Sequence, residues 1–261
     1  MNHPVIWITG ASSGIGEAAA RKFSAEGYAL VISSRNEKEL NRVAESCTNP
    51  DLVRVLPLDL SDSDNMESKV KDAIGFFGKI DIMLHNGGIS QRSLIQETQL
   101  EVDRKLMEVN YFGTVALTKA LLPHFITRKT GQFAVITSLV GKFASPYRSS
   151  YAASKHALHG FFDTLRAEHH RDHILVTMIC PGFIRTQVSI NALTGDGKPL
   201  GQMDDAQAKG MSPEACAEEI FQAIVRKKQE VYIGGKETYA VYLKRFFPSL
   251  FSKILTKANV R

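Results

Sequence analysis

Short apolar runs alternate with longer amphipathic stretches from one end of the chain to the other. Strand-like runs fall at residues 4–9, 29–34, 52–56, 80–85, 132–137, 175–180 and 231–233. Helical spacing fills the intervals between the first six. Residues 62–77, for instance, place Met66, Val70, Ala73, Ile74 and Phe77 on one face, with Asp62 near the start and Gly78 just past the end. This alternation predicts a single α/β domain over residues 1–261. Parallel strands need crossover connections, so the expected form is a doubly wound parallel sheet with helices on both faces. No repeat, low-complexity tract or interdomain linker interrupts it. One polar, glycine-rich stretch at 194–210 stands out, before Ser212-Pro213-Glu214 opens a further helix.

Composition narrows the classes. Hydrophobic residues make up 44% of the 261 and charged residues 23%, which is globular and excludes disorder as the main state. Three widely separated cysteines, Cys47, Cys180 and Cys216, form neither a disulfide framework nor a CxxC pair and fit a reducing compartment. No apolar run approaches the roughly 20 residues that span a bilayer, and the run at residues 5–8 is too short for a signal peptide, so a cytoplasmic location is expected. The net charge of +5 sits in residues 236–261, where Lys236, Lys244, Arg245, Lys253, Lys257 and Arg261 face a single acid, Glu237. The rest of the chain balances at 26 basic against 26 acidic residues, which argues against a nucleic-acid surface.

The first strand runs into Thr9-Gly10-Ala11-Ser12-Ser13-Gly14-Ile15-Gly16. Glycines at a strand-to-helix turn let backbone amides approach a pyrophosphate, with the helix dipole behind them, so the turn reads as the dinucleotide site of a Rossmann-type sheet. Its spacing, GxxxGxG, differs from the common GxGxxG, and a tight packing turn is the lesser alternative, weakened by the turn's place directly after the first strand. The second strand ends Ser33-Ser34-Arg35-Asn36. A carboxylate here would bind a ribose hydroxyl, whereas arginine would pair with a 2′-phosphate, so NADP(H) is expected in preference to NAD(H). Tyr151 and Lys155 lie four apart in a helical pattern, on one face. A phenol with a pKa near 10 becomes an acid–base group at neutral pH only when a cation stabilises its phenolate, and Lys155 is placed to do so. Tyr-x-x-x-Lys is common by chance and carries weight only in company.

That company is present. Asp59-Leu60 follows the third strand, Asn86-Gly87-Gly88 the fourth and Ser138 the fifth. Pro181-Gly182 with Ile184 and Thr186 follows the sixth, and Asn110 lies in the helix after the fourth. Open α/β sheets bind ligands at these strand ends. The set, in this order and spacing, resembles the short-chain dehydrogenase/reductase family over nearly the whole chain. Residues 86–94 and 151–158 further resemble its dehydrogenase/reductase member 7 branch. His85 and Gly87 depart from the family's usual asparagine and alanine. The resemblance implies an oxidoreductase interconverting a carbonyl and an alcohol by hydride transfer. Tyr151 would be the acid–base group and Ser138 the group that polarises the substrate oxygen. Lys155 would lower the tyrosine pKa and hold the ribose, and Asn110 would position a water through its helix carbonyl. Gly10, Ser12, Ser13, Gly14, Ile15 and Gly16, with Arg35, Asp59, Leu60 and the Asn86–Gly88 and Pro181–Thr186 segments, would hold the dinucleotide. It also implies a homodimer or homotetramer, joined through the helix of Tyr151, where Ala157, Leu158, Phe161, Phe162 and Leu165 offer more apolar surface than one stripe needs.

Other features weigh less. His169, His170 and His173 lack a ligand partner at zinc-like spacing, so no metal site is expected, and Cys180 reads as inert. Residues 191–210 read as a mobile lid, with Ile190, Leu193, Leu200 and Met203 facing an apolar substrate. Candidate pocket segments are 91–94, 140–147 and 183–210, which suit a medium-sized apolar ketone, aldehyde or secondary alcohol. In 236–261, Tyr239, Tyr242, Leu243, Phe246 and Phe247, then Leu250, Phe251, Ile254 and Leu255, recur at helical spacing among basic residues. Such a segment can make peripheral contact with anionic lipid, or its apolar side can cover the substrate cleft or a partner subunit; the second reading is favoured. The rival readings of the whole are a cofactor-binding regulatory protein without turnover, and a membrane-surface protein whose tail is its working part.

Overall fold

The computed structural model describes residues 3–257. The expected strands and helices alternate as follows: β1 (Val5–Thr9), α1 (Gly14–Ala25), β2 (Ala29–Ser33), α2 (Glu37–Glu45), β3 (Val53–Val55), α3 (Met66–Phe77), β4 (Ile82–His85), α4 (Leu100–Met107), α5 (Gly113–Arg128), β5 (Gly131–Ile136), α6 (Ser149–Glu168), β6 (Ile174–Pro181), α7 (Asp205–Ala208), α8 (Pro213–Val225), β7 (Glu230–Ile233), α9 (Tyr239–Phe246) and α10 (Pro248–Leu255). The sheet order is β3-β2-β1-β4-β5-β6-β7, and every adjacent pair is parallel. The order reverses between β1 and β4, which opens a crevice at their C-terminal ends.

Alternation within the strands divides the core. Ile6, Ile8, Leu30, Ile32 and Leu84 pack with Phe23, Leu40 and Ile220 on one face of the sheet. Val5, Trp7, Val31, Met83 and Phe133 pack with Leu121, Phe125, Leu158 and Phe162 on the other. Both faces are therefore dry, as a parallel sheet requires. Local signals stop and start the helices where the residues predict. Gly78, at φ 75°, closes α3 in the left-handed conformation that costs glycine least. The Ser212 hydroxyl accepts the Ala215 amide at 3.2 Å to open α8.

The packing bears on three features read from the sequence. On α6, Leu158, Phe162 and Leu165 are buried in the core and Phe161 packs against it, so the apolar excess assigned to a subunit interface is mostly consumed by the sheet. The segment 191–210 is better anchored than its composition suggests. Ala192, Leu193, Asp204 and Gln207 are buried, and the Leu193 carbonyl accepts the Arg92 amide at 2.8 Å while its own amide donates to Ser90 at 2.9 Å. His85 is a core residue: its Nε2 bonds the Thr118 hydroxyl at 2.9 Å, its ring stacks on Phe133, and burial pulls its pKa down to about 3. The last four residues of the basic tail, including Arg261, lie outside the described residues.

Candidate active site

The loops leaving the C-terminal edge of the sheet enclose a cavity of about 1260 Å³. Of the residues expected to hold the dinucleotide or carry the chemistry, all line it except Gly16 and Asn110. One end is the glycine turn. Gly10 and Gly14 have φ of 65° and 57°, and a Cβ on Gly10 would come within 2.7 Å of Gly87 Cα. A side chain at either position would meet both backbone strain and crowding. Gly16 stands one layer behind, where a Cβ would lie 2.2 Å from the Gly10 carbonyl oxygen. Asn86 fixes this turn by donating to the carbonyls of Thr9 and Gly10 at 3.0 and 3.1 Å. The Thr9 hydroxyl accepts the amides of Asn86 and Gly87 at 3.1 and 3.0 Å. Two adjacent parallel strands are thus laced together where their loops diverge, leaving a rigid, glycine-lined cradle whose shape fits a pyrophosphate.

Arg35 lies exposed at the end of β2, on the cavity wall with Ser12, Ser13 and Ser34. Across from it, Asp59 is raised by partial burial, but its bonds from the Ser61 amide and hydroxyl, with Arg35 and Lys105 nearby, hold it below the usual carboxylate value. Asp59 is therefore a hydrogen-bond acceptor on this wall, and the Arg35 guanidinium is the group there that suits a phosphate.

At the other end, Ser138, Tyr151 and Lys155 converge. Ser138 follows β5, caps a short turn by accepting the Val140 amide at 3.3 Å, and faces the Pro181 carbonyl at 3.4 Å. Lys155 is buried, donates to the Ile136 carbonyl at 2.9 Å, and is pulled down to about 8 by burial. Its Nζ lies 5.8 Å from the centre of the Tyr151 ring. Burial raises the Tyr151 phenol, while Ser138, Arg92 and Arg148 draw it back. Arg92 and Arg148 are thus cations that favour the phenolate beside Lys155. Asn110 sits in a widened π-type turn, Glu108–Phe112, between α4 and α5. Its side chain is spent on structure: Oδ1 accepts the Ile89 amide at 2.8 Å, and Nδ2 donates to the Ile89 carbonyl and Ser154 hydroxyl at 2.9 and 3.0 Å. It reaches the cavity only through these neighbours.

Three groupings of side chains are not legible in the sequence. Arg92 and Arg148, both buried in the cavity wall, share one carboxylate oxygen of Asp204, at 2.7 and 3.2 Å. This ties 191–210 to the walls beside Tyr151, and no local pattern joins the three. Gln91 is fully buried, and its carbonyl oxygen accepts the Ser150 and Tyr151 amides at 2.9 and 3.4 Å. It thereby caps α6, whose own N-cap residue, Arg148, makes no side-chain cap. The third group is His159, Cys180 and Glu230, brought together from α6, β6 and β7 at ligand-like separations. Lys142 pairs with Glu230 at 2.7 Å, and burial holds the Cys180 thiol up at about 12, so the group is a buried polar cluster with a protonated thiol.

The far wall of the cavity is apolar. Val140, Phe143, Val188, Leu193 and Pro199 line it, joined by Phe251, Ile254 and Leu255 from α10. One face of α10 covers the cleft, with Phe143 and Phe251 edge to face at 5.3 Å. Ile190, Leu200 and Met203, expected here, do not line the cavity; Met203 instead accepts the Ser189 hydroxyl.

A doubly wound sheet with this glycine turn and this serine–tyrosine–lysine convergence defines a nucleotide-dependent oxidoreductase fold. The chain belongs to the short chain dehydrogenase family, whose pattern it matches over residues 4–196. It is similar to the Drosophila melanogaster dehydrogenase/reductase SDR family protein 7-like, at 43% identity, over 98% of this chain and 81% of that protein. Among solved structures it is similar to an alcohol dehydrogenase from the archaeon Thermococcus sibiricus complexed with 5-hydroxy-NADP, with a TM-score of 0.74, 27% identity, and 90% of this chain and 97% of that one covered. A short chain dehydrogenase/reductase from Burkholderia phymatum in complex with NAD shares the fold, with a TM-score of 0.83, 20% identity, and 100% and 97% coverage.

Proposed function

We propose that this oxidoreductase uses NADP(H) to interconvert a carbonyl and an alcohol on a largely apolar small molecule. The observation that carries the reading is the single cavity that joins the glycine cradle and Arg35 at one end to Ser138, Tyr151 and Lys155 at the other. The dinucleotide supplies or takes up the hydride. The chain's residues do the rest. The Tyr151 hydroxyl gives its proton to the substrate oxygen in reduction and receives it in oxidation. Ser138 donates to the same oxygen and so favours the charge that develops there. Lys155 holds the ribose hydroxyls, and its ammonium stands on the proton's route to solvent. The apolar wall from Val140 to Leu255 excludes water.

Arg35→Asp tests the cofactor reading. Losing one charge-assisted pair should weaken NADP binding roughly 10- to 100-fold and improve NAD binding. Equal NADP affinity in mutant and parent, measured by nicotinamide fluorescence, would remove Arg35 from the 2′-phosphate.

The lysine sets a pH dependence. Held near 8 in the fold, Lys155 carries its charge below that value and loses it above. Turnover that needs the ammonium should therefore fall as pH rises through about 8, and Lys155→Arg, which stays charged, should carry its residual activity further into alkali. A flat profile through this range would sink the role.

A homo-oligomer joined across the outer side of α6, where Ala153, His156, Gly160 and Thr164 are exposed, belongs to the same proposal. Light scattering at micromolar concentration checks it, a monomer's mass being the adverse result. A cytoplasmic setting, in keeping with the three buried free thiols, belongs to the proposal as well.

A further inference from the structure

Six of the eleven exposed large apolar side chains among the described residues fall within α9 and α10 and the turn between them. Tyr239 is 71% exposed, Phe246 69% and Phe247 62%, with Tyr242, Leu250 and Ile254 about half exposed. Soluble surfaces carry such residues singly, and a cluster marks a contact. The charges around it have one sign. Lys236, Lys244, Arg245, Lys253 and Lys257 are all exposed, whereas the acid in the segment, Glu237, turns inward and accepts the Phe183 amide at 3.4 Å.

We propose that α9 and α10 dock the protein on an anionic lipid surface, with the mouth of the active-site cavity facing the bilayer. Aromatic side chains flanked by lysine and arginine suit the headgroup boundary, where rings bury and ammonium groups meet lipid phosphates. A second copy of the chain would bring five cations against five of the same sign, which disfavours self-association through this face. Position supplies an independent argument. Ile254 is 48% exposed and also lines the cavity, beside Phe251 and Leu255. Ile254 therefore joins the outer patch to the apolar wall of the pocket, which would open the cavity to a substrate partitioned in lipid.

Co-flotation of the full chain with phosphatidylcholine vesicles, with and without phosphatidylserine, tests this directly. Binding should require phosphatidylserine and weaken with salt. The combined variant Lys244→Glu, Arg245→Glu, Lys253→Glu should bind at least about 100-fold more weakly, at roughly fivefold per removed cation. Its melting curve and NADPH binding should match the parent, since none of these side chains belongs to the site. Phe246→Ser with Phe247→Ser, a second variant, should lose binding while keeping every cation. No binding to either vesicle, equal binding to both, or an unchanged charge-reversal variant would overturn the proposal. So would a concentration-dependent mass in light scattering that the Phe246, Phe247 variant abolishes, because the face would then join copies of the chain. Vesicle binding is read without turnover, so its failure is distinct from failure of the hydride-transfer reading.

Discussion

Tyr151→Phe should abolish nearly all turnover while leaving dinucleotide binding intact. The ring fills the same space in the wall of the cavity, and only the hydroxyl beside Ser138 is lost. A positioned proton donor is worth about 10²–10⁴ in rate, and phenylalanine has no proton to give. The kcat should thus fall by at least about 100-fold, or roughly 2.7 kcal/mol. Steady-state kinetics over a panel of aldehydes, ketones and secondary alcohols, paired with a cofactor titration, separates the two effects. Retention of more than about a tenth of the parent kcat would exclude Tyr151 as the proton donor.

Asp204→Asn should be the most destabilising conservative change near the site. The substitution keeps the shape and removes the negative charge that Arg92 and Arg148 share, with all three side chains at most 6% exposed. Breaking a buried ion pair from one side costs about 3–5 kcal/mol, because the charges left behind are still out of water. Urea unfolding measures this, and a loss below about 1 kcal/mol would show that the arginines are compensated elsewhere. The same variant probes the lid proposed for residues 191–210. Hydrogen exchange there should quicken in the variant and slow in the parent when NADP and a ligand bind. Exchange as slow as that of the central strands, with or without ligand, would make the segment a fixed wall.

The two networks behind these predictions differ in how readable they are. The glycine turn, the strand-end residues and the Tyr151–Lys155 pair are short-range patterns: each needs only a strand, a turn or one helical period, and those follow from neighbouring residues. The same holds for the tail, whose helical spacing foretells an apolar side, and α10 does lay that side over the cleft. Asp204 could not be read this way. It meets Arg148 across 56 positions and Arg92 across 112, and nothing around Asp204 distinguishes it from a solvated loop acid. Composition is a poor guide for the same reason at 191–210, where the segment is held by backbone pairing with 90–92 and by Leu193 packed on Val102 and Leu106. On α6 the misreading ran the other way, since apolar residues assigned to a partner serve a sheet wide enough to bury them. His85 shows that a departure from a family's usual residue can be a packing choice, the ring having found Thr118 and Phe133.

The capping of α6 by Gln91 bears on how the enzyme comes to exist at all. A helix that carries its own serine or aspartate cap can finish its first turn as soon as it forms. This one receives its acceptor from a side chain 59 positions earlier, itself held by Ser93, Thr98 and Ser149. The turn that bears Tyr151 is therefore completed by assembly of the two halves of the chain and not by local propensity. A partly folded molecule, or one with the 89–99 loop displaced, holds a long helix with a frayed and misplaced phenol. Competence is thereby conferred late, as a property of the whole architecture, and an incompletely built copy is silent rather than indiscriminate.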